Sequence, residues 1–415
     1  MAKRIAFLTL GCKLNYAETS TYERGFKKNG LEVVPWNEKA DVYLVNTCSV
    51  TAHSDAKCRN AIRKCHRVSP EAAIVVAGCY AELKREEVSG IDGVKLVFGA
   101  KEKSRVVPET MRLLGTDIEG ADADNTIFGA YSTGERTRSF LKVQDGCNNF
   151  CAYCTVPYAR GNSRNIPICE VIKHAEAIAA QGVKEVVLTG VNTGDFGRTT
   201  GESFLDLLKR LNEVEGIERY RISSIEPNLI TEEIVDWIAS GTKFQPHFHI
   251  PLQVGVDSLL KKVGRKYTTD FFADRIDYIR KKMDGRLKVF FGIDVIVGLP
   301  GETDELFRQT YDFLEKRIRP SFIHIFPYSK RPGTRAAVMP DQVSEEKKAE
   351  RVKALEELSD RLNAEFVEAH KGCRAGVLFE SSEKGGKMAG YTENYIRVVR
   401  PYDAAKVGKI TEETI

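Results

Sequence analysis

The sequence predicts an α/β protein with an N-terminal open parallel sheet, a central partial (β/α)6 barrel and a small C-terminal β-barrel. Three observations carry this prediction. Short apolar runs alternate with helical patterns over residues 1–115, and the alternation starts afresh near 139. Between the two, residues 116–138 are polar and rich in Gly and Asp, as a linker is. From 371 onward only short strand-like runs and turns remain.

In the first alternation, "RIAFLTL", "DVYLVN", "AIVVAG" and "VKLVFG" read as buried parallel strands, with helices near 18–29, 54–67 and 80–88. The second offers six strands: "FLKVQ", "EVVLTG", "RYRISS", "HFHIP", "VFFGIDVIVG" and "FIHIFPY". Six β/α units are fewer than the eight of a closed barrel, so a partial barrel is expected. A charged helix, "VSEEKKAERVKALEELSDRLNAEFVEAH", closes this unit at about 370 and stops at "KG". "RAGVLFE", "KMAGYTENYIRVVR" and "KVGKITE" form the final β-unit, 371–415.

Composition sets limits on function. The chain has 415 residues, enough for two or three cores, and is 42% hydrophobic and 29% charged, as soluble globular proteins are. No apolar run approaches the roughly 18 residues of a membrane span. The opening "MAKRIAFLTLGCKLN" reads as a first strand, since its apolar run is too short for a signal sequence. A cytoplasmic protein without a membrane partner is expected. A net charge of +4 neither requires nor excludes RNA, so any basic surface must be local.

The ten cysteines carry the chemistry. A reducing compartment argues against a disulfide framework, which leaves metal binding, catalysis or burial. Cys12, Cys48 and Cys79 each follow a predicted strand directly. The carboxyl ends of parallel strands share one sheet edge, where ligands bind, so these thiols can converge. The alternative is three buried structural cysteines. Cys58 and Cys65 share one helix face and are expected in the core, as are Cys169 and Cys373.

In "DGCNNFCAYCTVPYARG", Cys147, Cys151 and Cys154 follow the first barrel strand, in the loop layer where barrels place their sites. Three thiolates on a four-iron cluster leave one iron open to a chelating ligand. A zinc knuckle completed by Cys169 is the rival reading.

The spacing C-x3-C-x2-C, with the aromatic Tyr153 before the last cysteine, resembles the radical S-adenosylmethionine superfamily. With "GCKLN", "NTCSVT" and "GCY" ahead of it and a small β-unit behind, almost the whole chain is similar to the methylthiotransferase family. The resemblance implies two [4Fe-4S] clusters, an auxiliary one on Cys12, Cys48 and Cys79 and a radical one on Cys147, Cys151 and Cys154. It implies two S-adenosylmethionine molecules per turnover. One is cleaved to an adenosyl radical that removes hydrogen from an unactivated C–H bond, and the other methylates the sulfur inserted there. It implies that the C-terminal unit is an RNA-binding TRAM barrel, although this one is short. "GCKLNYAE", "NTCSVTAHSDAK" and "GYTENYIRV" are most similar to the branch acting on N6-threonylcarbamoyladenosine at position 37 of tRNA. Sibling branches act on N6-isopentenyladenosine in tRNA or on a ribosomal-protein aspartate. The implied partners are tRNA and an electron donor such as flavodoxin, but not DNA.

Other strand-end residues match family segments and are candidates for the cofactor: Thr189, Gly190 and Asn192, then Ser224 and Glu226, then Gln253, and the Gly298 turn with Glu302. Each could equally cap the next helix. Arg160 and Arg164 suit a phosphate or carboxylate, or a structural ion pair. The helix carrying Lys57, Arg59 and Arg63 offers a phosphate contact or a solvated face. Tyr391 and Tyr395 can stack on bases or fill a small core. No catalytic side chain is singled out.

Overall fold

The computed structural model describes residues 2–116, 118, 127–134 and 136–415. The N-terminal unit is a five-stranded parallel sheet, β1 (Arg4–Thr9), β2 (Glu32–Val34), β3 (Val42–Thr47), β4 (Ala73–Gly78) and β5 (Val94–Phe98), in the order β2-β1-β3-β4-β5. Helices cover both faces, so β3 is buried along its whole length. On one side α1 (Lys13–Lys28) and α5 (Val106–Leu113) pack Tyr22, Phe26, Val106 and Met111 against Ile5, Leu44 and Val75. On the other, α2 (Ala52–Val68) packs Cys58, Ile62 and Cys65. Two short helices, α3 (Cys79–Leu83) and α4 (Arg85–Ser89), stand where one was expected. The three-residue β2 was not foreseen, being too short for a periodic signal.

The stretch expected as a linker falls partly outside the described residues. Its described segment 127–134 is docked. Phe128 stacks on Tyr22 at 5.2 Å, and Tyr131 bridges to Leu141 and stacks against His174.

All six expected barrel strands form: β6 (Arg138–Lys142), β9 (Glu185–Thr189), β10 (Arg219–Ile222), β11 (His247–Gln253), β12 (Phe290–Val297) and β13 (Phe322–Pro327). They build two parallel triplets, β6-β9-β10 and β11-β12-β13, joined by a bridge from Tyr220 to Phe244 and a bond from Ile225 N–H to His249 C=O. Among the described residues β6 and β13 do not pair, so the barrel is open. A two-residue ribbon, β7 (Gln144–Asp145) with β8 (Arg164–Asn165), frames the loop after β6 and the short helix α6 (Val156–Arg160). Helices α7 (Ile168–Ala179), α8 (Phe204–Glu213), α9 (Glu232–Ala239), α10 (Asp257–Val263), α11 (Thr269–Met283) and α12 (Asp304–Asp312) follow the strands. Ser203, Thr231, Thr268 and Thr303 cap four of them through side-chain oxygens. The long α13 (Glu345–Glu368) lies over β12 and β13.

The main core lies between strands and helices: Leu141, Val186, Leu188, Tyr220, Ile222, Phe248, Ile250, Ile293, Val295 and Ile323 all belong to it. The alternate positions on these strands mix charged and polar residues such as Lys142, Glu185, Arg219, Arg221, His249, Asp294 and His324 with apolar ones such as Phe140, Val187 and Ile296, so the inner face of the half-open barrel is partly hydrophilic.

The C-terminal unit is a curled four-stranded antiparallel sheet, β14 (Arg374–Lys384), β15 (Lys387–Tyr391), β16 (Arg397–Pro401) and β17 (Ile410–Thr414), ordered β16-β15-β14-β17. A register shift between Phe379 and Glu383 bends β14 over a core of Val377, Phe379, Met388 and Val398. Arg400 on β16 binds Glu413 on β17, so side chains close the curl. Arg221 donates to Glu393 C=O at 2.7 Å and Thr392 C=O at 2.8 Å, docking this sheet against the amino ends of the barrel strands. Tyr395 sits in the left-handed region (φ 65°), stacks on Tyr391 at 4.7 Å and packs at a tilt against His247 at 4.8 Å. These tyrosines thus help seal the bottom of the barrel.

Candidate functional site: two sets of three cysteines

The strands β1, β3 and β4 are neighbours, and Cys12, Cys48 and Cys79 stand just beyond their carboxyl ends. The other letters of their motifs stitch these ends together. Asn15 donates to Leu10 C=O (2.7 Å) and Thr47 C=O (3.0 Å), and Asn46 donates to Asn15 C=O (3.0 Å). Gly11 and Gly78 both adopt φ 105°; a Cβ at Gly11 would come within 2.5 Å of Cys48 Cβ, and one at Gly78 within 2.5 Å of Thr47 C=O. Cys58 lies beneath and donates to Cys48 C=O at 3.3 Å. Burial pushes the Cys48 thiol up to about 12, and neighbouring Cys79 and Cys12 add to this, so the three sulfurs feel one another. Burial also raises Cys79, against the opposing pull of Arg160 and Lys103.

The second set follows the same local logic. Gly146 (φ 75°) precedes Cys147, and a Cβ there would lie 2.1 Å from Asn162 C=O. Asn149 N–H points to Cys147 Sγ at 3.4 Å, and Cys154 N–H bonds Cys151 C=O at 3.0 Å. Cys154 is pushed up to about 12, by burial first and then by Cys151 and Cys147. Buried thiols of this kind stay protonated until a metal displaces the proton.

A single tetrahedral zinc holds its thiolates ~3.8 Å apart, given Zn–S bonds of about 2.3 Å. Among the described residues, only His249, Asp294 and His324 bring three such ligand atoms within 4.8 Å of one another. Each cysteine set offers three thiols, one short of a four-ligand structural zinc site, and this donor set suits an iron–sulfur cluster with one iron free of protein. Cys169, the proposed fourth zinc ligand, is exposed on the first turn of α7. This corrects the expectation that it packs in the core; Cys373 is also not fully buried. Both lie at element ends, where helix or strand periodicity does not decide burial. Cys58 and Cys65 are core residues as expected.

Several candidate residues surround the Cys147 loop. Gln144 Oε1 accepts from both Val191 N–H and Asn192 N–H at 2.9 Å, shaping the turn after β9, and a Cβ at Gly190 would collide with it at 2.9 Å. Thr189 is buried and donates to Val187 C=O. Asn192 Oδ1 accepts from Glu226 N–H, and Ser224 C=O accepts from Thr193. Gln253 ends β11 at a register shift with φ 72°, a strained backbone of the kind found at ligand sites. Glu226 pairs with Arg265, which also donates to Cys151 Sγ at 3.3 Å and to the hydroxyl of Tyr267 at 3.0 Å. Burial raises Tyr153 well above the usual phenol range, and Cys151 and Cys154 act on it from close by. Sequence reading missed Gln144 and Arg265.

The Gly298 turn packs against α13. Its N–H binds Glu302, which pairs with Arg351 of α13 at 2.7 Å, and a Cβ at Gly298 would strike Lys348 at 2.4 Å. Arg160 is fully inside an ion network rather than at a surface. It binds Asp145 (2.9 Å), Glu18 (3.3 Å) and Asn15 Oδ1 (2.7 Å), while Lys103 and Lys142 bind Glu18 at 2.6 and 2.9 Å. Arg164 bonds Arg160 C=O and lies 3.8 Å from Asp145. On α2, Arg59 is held by Tyr80 and Glu87, whereas Lys57 and Arg63 are exposed.

Comparisons with known proteins agree with this geometry. A model described as Uncharacterized protein family UPF0004 matches residues 4–99, and that of the Radical SAM superfamily matches 141–314. The chain is 40% identical over 426 residues to the threonylcarbamoyladenosine tRNA methylthiotransferase MtaB of Bacillus subtilis (99% of this chain, 93% of the relative). It is 37% identical to the same-named protein of Aquifex aeolicus (99% and 100%). It is 31% identical to the tRNA-2-methylthio-N(6)-dimethylallyladenosine synthase of Alkaliphilus oremlandii (100% and 90%). In fold it resembles the radical S-adenosylmethionine methyltransferase TsrM of Kitasatospora setae, with TM-score 0.59 at 15% identity over 81% of this chain and 77% of that one. The chain belongs to the methylthiotransferase family of radical S-adenosylmethionine enzymes. Among the described residues no helix is long and apolar enough to cross a membrane.

Proposed function

We propose that this protein inserts a methylthio group at carbon 2 of N6-threonylcarbamoyladenosine, next to the anticodon of tRNA. The observation that carries this reading is near-full-length similarity to enzymes named for that reaction, in a chain that presents two separate three-cysteine sets. Cys147, Cys151 and Cys154 would hold one [4Fe-4S] cluster and Cys12, Cys48 and Cys79 a second, which together supply S-adenosylmethionine cleavage and sulfur delivery. Two S-adenosylmethionine molecules would be used per turnover.

The protein's own residues bind and orient. Tyr153, Thr189, Gly190, Asn192, Ser224, Glu226 and Gln253 ring the Cys147 loop and would seat the cofactor, with backbone held in place by Gln144. Arg265 keeps a positive charge against Cys151 and fixes Glu226. The exposed Lys57 and Arg63 would contact RNA phosphates, and the curled C-terminal sheet would act as a TRAM-like RNA module. A small redox protein such as flavodoxin would supply electrons, in the cytoplasm where tRNA is modified.

The test uses anaerobically reconstituted protein with S-adenosylmethionine, reductant and tRNA bearing threonylcarbamoyladenosine, followed by mass analysis of the digested nucleosides. A methylthio gain on that nucleoside is expected. Release of 5′-deoxyadenosine with no gain there would discard the acceptor and turn attention to isopentenyl-bearing tRNA, given the 31% identical synthase. Failure to cleave S-adenosylmethionine at full iron loading would discard the enzyme reading.

A further inference from the structure

The loops that carry the cysteines also carry two aromatic side chains that neither cluster binding nor cofactor seating employs. Phe150, one residue before Cys151, is 45% exposed, and Tyr158 on α6 is 55% exposed. Their ring centroids are 6.0 Å apart and the rings stand edge to face at 82°. Such a pair leaves at least one face of each ring clear of the other. Phe150 holds φ 47°, a left-handed conformation that a bulky side chain keeps only where its surroundings enforce it. Burial is the ordinary fate of two neighbouring aromatics, and here both stay in solvent.

Contacts tie two further segments to this loop. Arg335 donates to Phe150 C=O at 3.4 Å, and Ala336 N–H bonds Ala152 C=O at 2.8 Å. Thr155 donates to Ser49 C=O at 3.4 Å, and Ala52 N–H bonds Ser329 Oγ at 3.1 Å. Residues 46–54, 147–162 and 326–340, the three segments so joined, contain no Asp or Glu. Asp55, just beyond the first, is engaged by Ser49 and by Arg331 at 2.7 Å each. Lys330 and Arg335 are exposed on the third segment. Lys101, also exposed, reaches the end of α6, where its Cε would stand 3.4 Å from a Cβ at Gly161. Among the described residues none of these three cations has an ion pair.

Exposed rings, free cations and no carboxylate select an anionic partner that also offers flat apolar faces. Unpaired RNA does so, with phosphates for the cations and bases for the rings. An acidic protein shares the charge, so the ring pair decides, because every base presents a π-face to stack. The chemistry points the same way. An enzyme that acts on a base takes that base out of its stack, and the neighbour left behind loses a stacking partner. An exposed ring pair beside the cysteine loop can replace that partner.

We propose that Phe150 and Tyr158 form a stacking platform for an unpaired base next to the acceptor nucleotide, and that Lys101, Lys330 and Arg335 contact the phosphates around it. This rests on the reading above only in that the acceptor is a nucleotide of RNA. Stacking tolerates any base, so the platform holds the loop open without reading its sequence.

The test titrates labelled anticodon stem–loops bearing threonylcarbamoyladenosine with reconstituted protein, read by fluorescence anisotropy. Tyr158→Leu and Phe150→Leu should each weaken binding by on the order of tenfold, as loss of one stacked base does, while Tyr158→Phe binds as the wild type does. An abasic nucleotide next to the acceptor should cost the wild type a similar factor and cost Tyr158→Leu little more. Iron content and 5′-deoxyadenosine release with dithionite and no RNA check the cluster loop; Tyr158, outside the cysteine span, carries the result if Phe150→Leu loses iron. Unchanged binding by Tyr158→Leu, or an abasic penalty that adds to it in full, would overturn the proposal. So would a Tyr158→Leu defect seen only with flavodoxin as reductant and absent with dithionite, which would give this surface to the electron donor. Wild-type protein that makes no methylthio product yet binds these stem–loops through Tyr158 would remove the acceptor reading and leave the platform standing.

Discussion

Arg265 donates to Cys151 Sγ across 3.3 Å, joining the end of α10 to the middle cysteine of the barrel set. Its other nitrogens bind Glu226 and Tyr267. A planar fork can serve three partners in one plane, whereas an ammonium on a flexible stem cannot.

Arg265→Lys should therefore keep the charge and lose the alignment. Groups that orient a metal ligand typically matter by roughly 10–100-fold. A fall of that size is expected in 5′-deoxyadenosine formation, with the far-ultraviolet spectrum unchanged. Unaltered cleavage would show that Arg265 only packs.

Glu18 is completely buried and touches three cations. Burial alone would raise its carboxyl, but Lys103, Lys142 and Arg160 outweigh it and hold it at about 2. Asp145 is likewise held low. Both are depressed relative to an unfolded chain, where carboxyls titrate near 4, so their stabilisation is full above that pH and drains away as pH falls toward 2. Melting temperature should drop steeply between pH 4.5 and the acid limit. Glu18→Gln, which strands buried cations, should cost about 3–5 kcal/mol near neutral pH, read by denaturant unfolding.

Gly11→Ala places a methyl group on Cys48 and asks alanine to hold φ 105°. Iron should be lost from the N-terminal set and kept at the barrel set, a difference visible in iron content and in the electron paramagnetic spectrum after reduction. Full iron retention would show that the loop can shift without releasing its ligands.

Replacing Cys12, Cys48 and Cys79 together by alanine should leave about half of the iron and continued S-adenosylmethionine cleavage without methylthio product. Replacing Cys147, Cys151 and Cys154 should abolish cleavage altogether. Product from the first triple variant would refute a role for the N-terminal set in sulfur delivery.

Much of this architecture could be read from the chain. The barrel strands and both cysteine sets announce themselves because each lies on, or directly after, a local apolar run. What escaped is long-range. Arg160 meets Asn15, 145 residues away, and Arg265 meets Cys151, 114 residues away. No periodicity encodes such meetings. The contacts of the Gly298 turn with α13 were not legible either, because a glycine–carboxylate turn looks alike whether it holds a ligand or a helix. His249, Asp294 and His324 each read as one polar residue in an apolar strand, and only strand register brings them together.

The ion network also has a mechanical meaning. Asn15 is three residues after Cys12, Asp145 two before Cys147, and Arg160 six after Cys154; one guanidinium clasps the first two. The loops that carry the two cysteine sets are therefore bolted together through the protein interior. The gap between the centres is a fixed dimension of the molecule. Turnover has to be sequenced by the traffic of small molecules and a swinging nucleoside through that gap, since the walls on either side travel as one piece.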